Sequence, residues 1–376
     1  MDRRTFIKGT GVAGIAGLAG CTGGPTQEAT ESATDTPTDS GGDMEDTETE
    51  TTTESGPAAN VGMVYALGGL GDKSFNDAAK RGVVQAEEEL GIAYAEVQPE
   101  ASEEFPQFQR RYAQSTDPNY DLVCCIGFAQ QSALAETAPG FSDQNFMLVD
   151  AVVDEPNVAN YVFREEEGSF QVGHLAGLMT TRSFDAGSGE TQSDSTNVGF
   201  VGGVDAPLIR KFQAGFEAGV NYANSDVDVS TAYAGSFSDS AQGKEIATSM
   251  YQSGADIVYH AAGATGLGVF QAAKEQGKYA IGVDSDQSLT EPNFADVIMA
   301  SMVKRVETPV YESIENVVND DFNGGSTTTL GLEEDGVACV YGDQLGSAIP
   351  QDVKDAVAET REGIISGDID VPTEPQ

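Results

Sequence analysis

The chain has 376 residues, a formal net charge of −42 and a hydrophobic fraction of 39%. Nucleic-acid partners are argued against by this balance, because binding phosphates requires clustered Lys and Arg. Four cysteines without any C-x-x-C spacing argue against a structural zinc site, so no metal ligands are assigned.

The N-terminal stretch DRRTFIKG carries Arg3 and Arg4 as a twin-arginine export signal would, followed by the apolar run GTGVAGIAGLAG. That run is too short to span a bilayer and reads as a signal, not an anchor. It ends in LAGC, Leu18 to Cys21, which looks like a lipobox. Cleavage there would leave Cys21 as the first residue, and its acylation would tether the mature chain to the extracytoplasmic face of the membrane. Residues 22–59 are Thr, Ser, Glu, Asp, Gly and Pro with almost no large apolar group, which predicts a disordered acidic stalk.

From Asn60 onward about 317 residues remain, more than one core usually accommodates, so two lobes are expected. Eleven acids and three bases precede Asn60, which leaves 50 acids, 16 bases and a net charge of −34 in the globular part. Such self-repulsion is relieved at molar salt, where the Debye length is about 3 Å, and points to a halophilic habitat.

Strand-length apolar runs fall at 60–67, 92–97, 120–127 and 146–153, with amphipathic stretches at 73–90 and 103–115 between them. NVANYVF and a helix-like stretch from about 165 to 182 follow, then a polar insert at 185–196. A second series of runs lies at 197–203, 227–233, 255–263, 279–287 and 296–303. Apolar strands alternating with amphipathic helices predict an α/β fold with parallel sheets covered on both faces.

Ligands of open parallel sheets sit beyond the carboxyl ends of the strands. Those positions hold GGLGDKSFNDAAKRG, GFAQQ, Asp150, GGVDAP, GSFSDSAQGK, HAAGATG and GVDSDQ, groups that are small, polar or aromatic and offer few nucleophiles. No G-x-S-x-G elbow or G-x-x-x-x-G-K-[ST] loop is present. Cys124 and Cys125 are adjacent in a strand, point to opposite faces and read as core thiols; His174 and His260 read as structural.

The segments GDKSFNDAAKRG, VGFVGGVDAPLIRKFQAGFEAGV, GSFSDSAQGKEIATSMYQSGADIVYHAAGATGLGVFQAAKEQGKYAIGVDSDQ and SMVK together resemble the basic membrane protein family of ABC-transporter substrate-binding lipoproteins, the group that contains purine nucleoside receptors. The resemblance covers about residues 60–305. It implies a type I periplasmic-binding-protein fold, in which two Rossmann-like lobes joined by a hinge close on a nucleoside. The first lobe is expected at 60–162, completed by about 304–330, and the second at 163–303, completed by about 331–368.

By position, the resemblance makes Phe75 and Phe237 a sandwich for the base. Asp284 resembles the family's sugar-binding acid, and Lys304 would donate to the same sugar. Ser74, Asn76 and Asp150 are candidates for base edges and loop geometry, with helix capping the other reading of Asn76. Gly127 and Gly263 would let backbone approach the ligand. One departure is Ala66, where such receptors often carry an acid similar to a base-contacting residue, so the identity of the base stays open. The expected partners are a nucleoside, a membrane permease that reads the closed form, and the membrane itself through Cys21. The protein is expected to be a monomer that needs no cofactor and performs no catalysis. The alternatives are a receptor or sensor for another small ligand on this fold, or a nucleoside hydrolase with Asp72, Asp284 and Asp286 around a metal.

Overall fold

The computed structural model describes residues 56–375. The export signal, Cys21 and residues 22–55 of the predicted stalk lie outside the described residues. In chain order the strands are β1 (Asn60–Val64), β2 (Ala93–Val97), β3 (Leu122–Cys125), β4 (Asn145–Val149), β5 (Val158–Phe163), a hairpin of β6 (Phe184–Ala186) and β7 (Gly189–Thr191), β8 (Asn197–Gly202), β9 (Asp228–Tyr233), β10 (Ile257–Ala261), β11 (Tyr279–Asp284), β12 (Ile298–Lys304), β13 (Thr327–Leu330) and β14 (Val337–Tyr341). The helices are α1 (Phe75–Leu90), α2 (Phe105–Ala113), α3 (Gln131–Thr137), α4 (Glu165–Thr180), α5 (Pro207–Ala223), α6 (Ser240–Gln252), α7 (Gly266–Gln276), the single turn α8 (Gln287–Thr290), α9 (Glu307–Val318) and α10 (Gln351–Ser366).

Two six-stranded sheets organise these elements, one in each lobe. The first runs β2-β1-β3-β4-β5-β13 and is parallel throughout; the second runs β9-β8-β10-β11-β12-β14, with only β14 antiparallel. The interior strands are buried along nearly their whole length, because helices cover both faces and leave no solvated side on which polar residues could alternate. Cys124 and Cys125 show the consequence. One packs into the core on one face of the first sheet, its neighbour into the core on the other.

Each sheet reverses its order beside its first strand, between β1 and β3 in one and between β8 and β10 in the other. Loops leaving those strand ends part in opposite directions and open a crevice. The chain passes between the sheets three times: from β5 into α4, from β12 into α9, which packs on α1, and from β13 into β14.

The second lobe is built around α4, a helix buried on all sides except at Leu178. Its approach to α5 is made by small residues. A Cβ on Gly173 would stand 2.2 Å from the Phe216 carbonyl oxygen, and one on Gly219 would stand 2.1 Å from that of Phe170. These distances leave no room for any side chain, so the two helices pack backbone to backbone.

Strand positions agree with the sequence patterns to within a few residues, the predicted runs extending past the ladders into the loops beyond. The patterns did not separate β13, whose TTTL sequence leaves three of its four residues exposed, the hairpin inside the polar insert, or β14, whose VACVY run was not read as a strand.

Candidate functional site

The crevice between the lobes opens to solvent, and about 710 Å3 of space, the open solvent at its mouth included, lies among its lining residues. The first lobe contributes the loop after β1, the turn after β3 and Asp150 after β4. The second contributes the start of α5, the segment carrying Phe237, the ends of β10 and β11, and Lys304 at the end of β12.

The loop from Ala66 to Asn76 is tied down from inside. Asp72 accepts hydrogen bonds from the backbone N–H groups of Ser74 (3.0 Å), Asn76 (2.9 Å) and Asp77 (3.1 Å), serving the orphan donors at the start of α1. Asn76 accepts from the N–H of Ala66 at 2.9 Å, and its amide donates to the Gly69 carbonyl at 3.0 Å. The loop therefore sets where Phe75, the first residue of α1, carries its half-buried ring.

Facing it, the Phe237 segment is held by Thr265. The Thr265 N–H donates to the Phe237 carbonyl (3.2 Å), and its hydroxyl donates to the Ser236 carbonyl (2.9 Å). Glycines make room for both rings. Gly127 has φ +102°, and a Cβ there would stand 3.4 Å from Phe75 Cε1; Gly263 has φ +55°, with its missing Cβ 3.2 Å from the Phe237 carbonyl oxygen. Without a Cβ, glycine adopts positive φ at no steric cost, so these turns hug the cleft walls. Gly68 of the first lobe brings the position of its missing Cβ within 3.7 Å of Phe237 Cβ in the second.

Charge gathers where the chain crosses between lobes. Lys304, 1% exposed, places its ammonium 2.6 Å from Asp150 Oδ1 and 2.9 Å from Glu165 Oε1. The Asp150 contact is an ion pair whose angle falls outside hydrogen-bonding geometry. The same ammonium stands 5.2 Å from the Phe75 ring centre and 4.8 Å from that of Phe163. Glu165 also pairs with Lys211 at 2.7 Å, and Lys211 with Glu166 at 3.2 Å. Across the cleft the Ser74 hydroxyl donates to Asp284 Oδ2. Arg81 donates to the Ser285 hydroxyl at 3.0 Å, a second link between lobes.

Burial acts on every member of this cluster, and the neighbours decide the outcome. Burial pushes Glu165 up, but Lys304 and Lys211 together hold its carboxyl below the ordinary range. Asp150 has only Lys304 close by, and burial wins: its pKa is raised. Asp284 lacks a direct ion pair, so burial lifts its pKa to about 7 despite Lys304 and the Ser74 hydroxyl. Burial alone would lower Lys304, yet Asp150, Glu165 and Asp284 hold its pKa above the usual lysine value. Asp150 and Asp284 also have positive φ, +71° and +64°, an uncommon conformation that Asp tolerates better than most side chains. Strained acids with shifted pKa values at a lobe junction make this cluster the candidate functional site.

Of the residues singled out from sequence, Phe75, Asn76, Gly127, Asp150, Phe237, Gly263, Asp284 and Lys304 all line this one cleft; Ser74 lies behind it and bonds to Asp284. Asn76 spends its amide on the loop, and Ser74 spends its hydroxyl on Asp284. Asp72 and Asp286 are each committed to backbone at a helix start, and among the described residues no three metal-capable side chains converge. His174 and His260 are buried away from the cleft, where burial lowers the pKa of each to about 4.

Leu208, Ile209 and Phe212 from α5, which were not singled out from the sequence, also line the cleft, as does Phe128 of the GFAQQ stretch; the fully buried Glu165 lies behind it on Lys304. The α5 trio reads as the apolar stripe of an ordinary amphipathic helix. Glu165 was legible only as one of three consecutive acids in the first turn of α4.

A family model described as Bmp, ABC transporter substrate-binding protein PnrA-like, matches residues 59–374. The ABC transporter nucleoside-binding protein BmpA of Lactococcus lactis subsp. cremoris is 32% identical over 331 residues, covering 83% of this chain and 88% of that protein. An uncharacterized lipoprotein of Pyrococcus abyssi is 34% identical over 303 residues, covering 77% of this chain and 70% of that one. A solved solute-binding protein of an ABC transporter system from Aeropyrum pernix K1 superposes with a TM-score of 0.74 at 29% identity, covering 85% of this chain and 94% of that chain. The fold is accordingly the type I periplasmic solute-binding architecture of two lobes, and the chain belongs to the Bmp family of PnrA-like ABC-transporter substrate-binding proteins.

Proposed function

We propose that this protein captures a nucleoside between its two lobes and delivers it to a membrane permease. The observation that carries the reading is that Phe75 and Phe237, borne by different lobes, line the same cleft as the Asp284, Lys304 and Asp150 cluster. A purine has two π faces, and stacking on an aromatic ring contributes about 1–3 kcal/mol per base. One ring from each lobe makes full stacking available only in the closed form, so ligand shifts the population toward closure. The Asp284 carboxylate is suited to accept from two adjacent ribose hydroxyls. Lys304 has three donors, of which Glu165 accepts one while Asp150 pairs with the ammonium as an ion, and a donor is left available to the sugar.

The resemblance of the N-terminal sequence to a twin-arginine signal with a lipobox, and the naming of the Pyrococcus abyssi relative as a lipoprotein, support anchoring through Cys21 on the extracytoplasmic face. Among the described residues no helix is long and apolar enough to cross a membrane. The net charge of −34 from residue 60 on supports a high-salt setting.

Calorimetry with adenosine, guanosine, inosine, uridine and free ribose in molar KCl tests the reading. Binding of nucleosides that are recovered intact is expected. Silence from every nucleoside overturns it, and recovery of free base and ribose would make the protein a hydrolase instead.

A further inference from the structure

Two sets of contacts join the lobes through residues that do not line the cleft. Arg81 of α1, in the first lobe, is braced at 3.4 Å by Glu307, the first residue of α9, which packs on α1. From there its guanidinium reaches across and donates to the hydroxyl of Ser285, just past β11 in the second lobe, at 3.0 Å. Beyond Ser285, the single turn α8 brings two donors onto one first-lobe carbonyl, that of Lys73: Gln287 Nε2 at 3.3 Å and Thr290 Oγ1 at 3.4 Å. A carbonyl oxygen has two lone pairs, so this one acceptor can serve both. Lys73 stands at φ +55°, and its own N–H donates to Asp77 at 3.1 Å.

The second-lobe half of these contacts is built in advance. Gln287 is 1% exposed; its backbone N–H donates to the Ser301 hydroxyl at 3.0 Å, and its side-chain oxygen accepts from the Val283 N–H at 2.8 Å. A backbone N–H can only donate, so the amide oxygen faces Val283 and the amide nitrogen faces Lys73. Asp286 accepts from both the N–H and the hydroxyl of Ser288, whose oxygen accepts in turn from the Asp343 N–H, and the turn is fixed from behind. Donors already held in place lose little freedom when the lobes meet, so the contact favours the closed form at small entropic cost. Parting of the lobes breaks all three hydrogen bonds and opens the cleft together. From this we infer that Arg81 and the turn α8 form a latch beside the cleft, which holds the closed form shut and sets how slowly ligand leaves without touching it. The inference rests on the ligand-capture reading above and adds positioning residues to it. Ligand meets the open form before the latch is made, so the latch acts on release and leaves capture alone.

Surface plasmon resonance on the immobilised chain in molar KCl, with adenosine, guanosine and inosine as probes, reads association and release separately. Arg81→Met, Ser285→Ala and Thr290→Val change no residue of the cleft lining. Arg81→Met and Ser285→Ala are each expected to speed release about threefold or more, with association within about threefold of the wild type. The double variant of these two is expected to release no more than about twofold faster than the faster single variant, because both changes remove the same hydrogen bond. Thr290→Val removes a separate contact, and adding it to Arg81→Met is expected to speed release by about twofold or more again. Smaller effects on release, a larger change in association, or multiplying effects in the Arg81 and Ser285 pair would overturn the latch while leaving a nucleoside receptor in place. A wild type silent toward all three probes removes the nucleoside reading and the latch together.

Discussion

Replacing Asp284 with Asn separates the stability of this protein from its binding. The carboxyl is buried, and burial raises its pKa from the ordinary 3.8 to about 7. A folded-state value above the unfolded one means that between those two pH values the folded chain holds the extra proton. The sign follows: stability falls as pH rises through that window and levels off above it. With these two values, the carboxyl costs the wild type about 2–3 kcal/mol between pH 5 and pH 8, a cost Asn does not incur.

Asn is otherwise well matched to the position. It tolerates the positive φ of +64°, and its carbonyl can still accept from the Ser74 hydroxyl. Chemical denaturation of both proteins in the same molar salt, at pH 5 and at pH 8, measures the difference. Salt leaves the effect largely in place because its main cause is burial and not a screened charge pair. The Asn variant is expected to gain on the wild type by about 2–3 kcal/mol from pH 5 to pH 8. It is also expected to lose tenfold or more in nucleoside affinity. An unchanged difference between the two proteins at the two pH values would refute the reasoning about Asp284.

Other perturbations follow from the same contacts. Lys304→Met removes the cation between Asp150 and Glu165 and leaves both carboxylates buried, so denaturation at pH 7 should show a loss of about 3–5 kcal/mol. Phe75→Ala and Phe237→Ala alter half-buried rings and should each weaken nucleoside binding tenfold or more by calorimetry; unchanged affinity in both would dismiss the sandwich. Gly219→Ala forces a methyl against the Phe170 carbonyl and should destabilise the fold by about 1–3 kcal/mol in the same denaturation assay. Because self-repulsion of a net −34 body is screened at high ionic strength, the melting temperature should rise when KCl is raised from about 0.1 M to molar levels.

Much of the fold was legible because it rests on local periodicity. Near-continuous apolar runs such as LVCCI and FMLVD belong to strands buried on both faces, and their positions could be read without knowing which strands would pair. Site candidates at strand ends were legible for a related reason, since the crevice of an open parallel sheet lies beyond those ends. β13 escaped because an exposed TTTL carries no apolar signal, and Leu208, Ile209 and Phe212 escaped because a cleft-lining stripe and a core-facing stripe look alike along a helix.

The order of residues was enough to establish alternating strands and helices, an acidic exterior and the identities of the groups at the strand ends. It did not establish that Ser74 would donate to an acid 210 residues away, or that Lys304 would bring Asp150 and Glu165 onto one ammonium. Those meetings depend on three crossings between sheets and on helices packed through glycine, and periodicity within a segment carries no information about either. Partners distant in sequence are assigned when burial and strand pairing close the whole chain, and so are the pKa values their proximity creates.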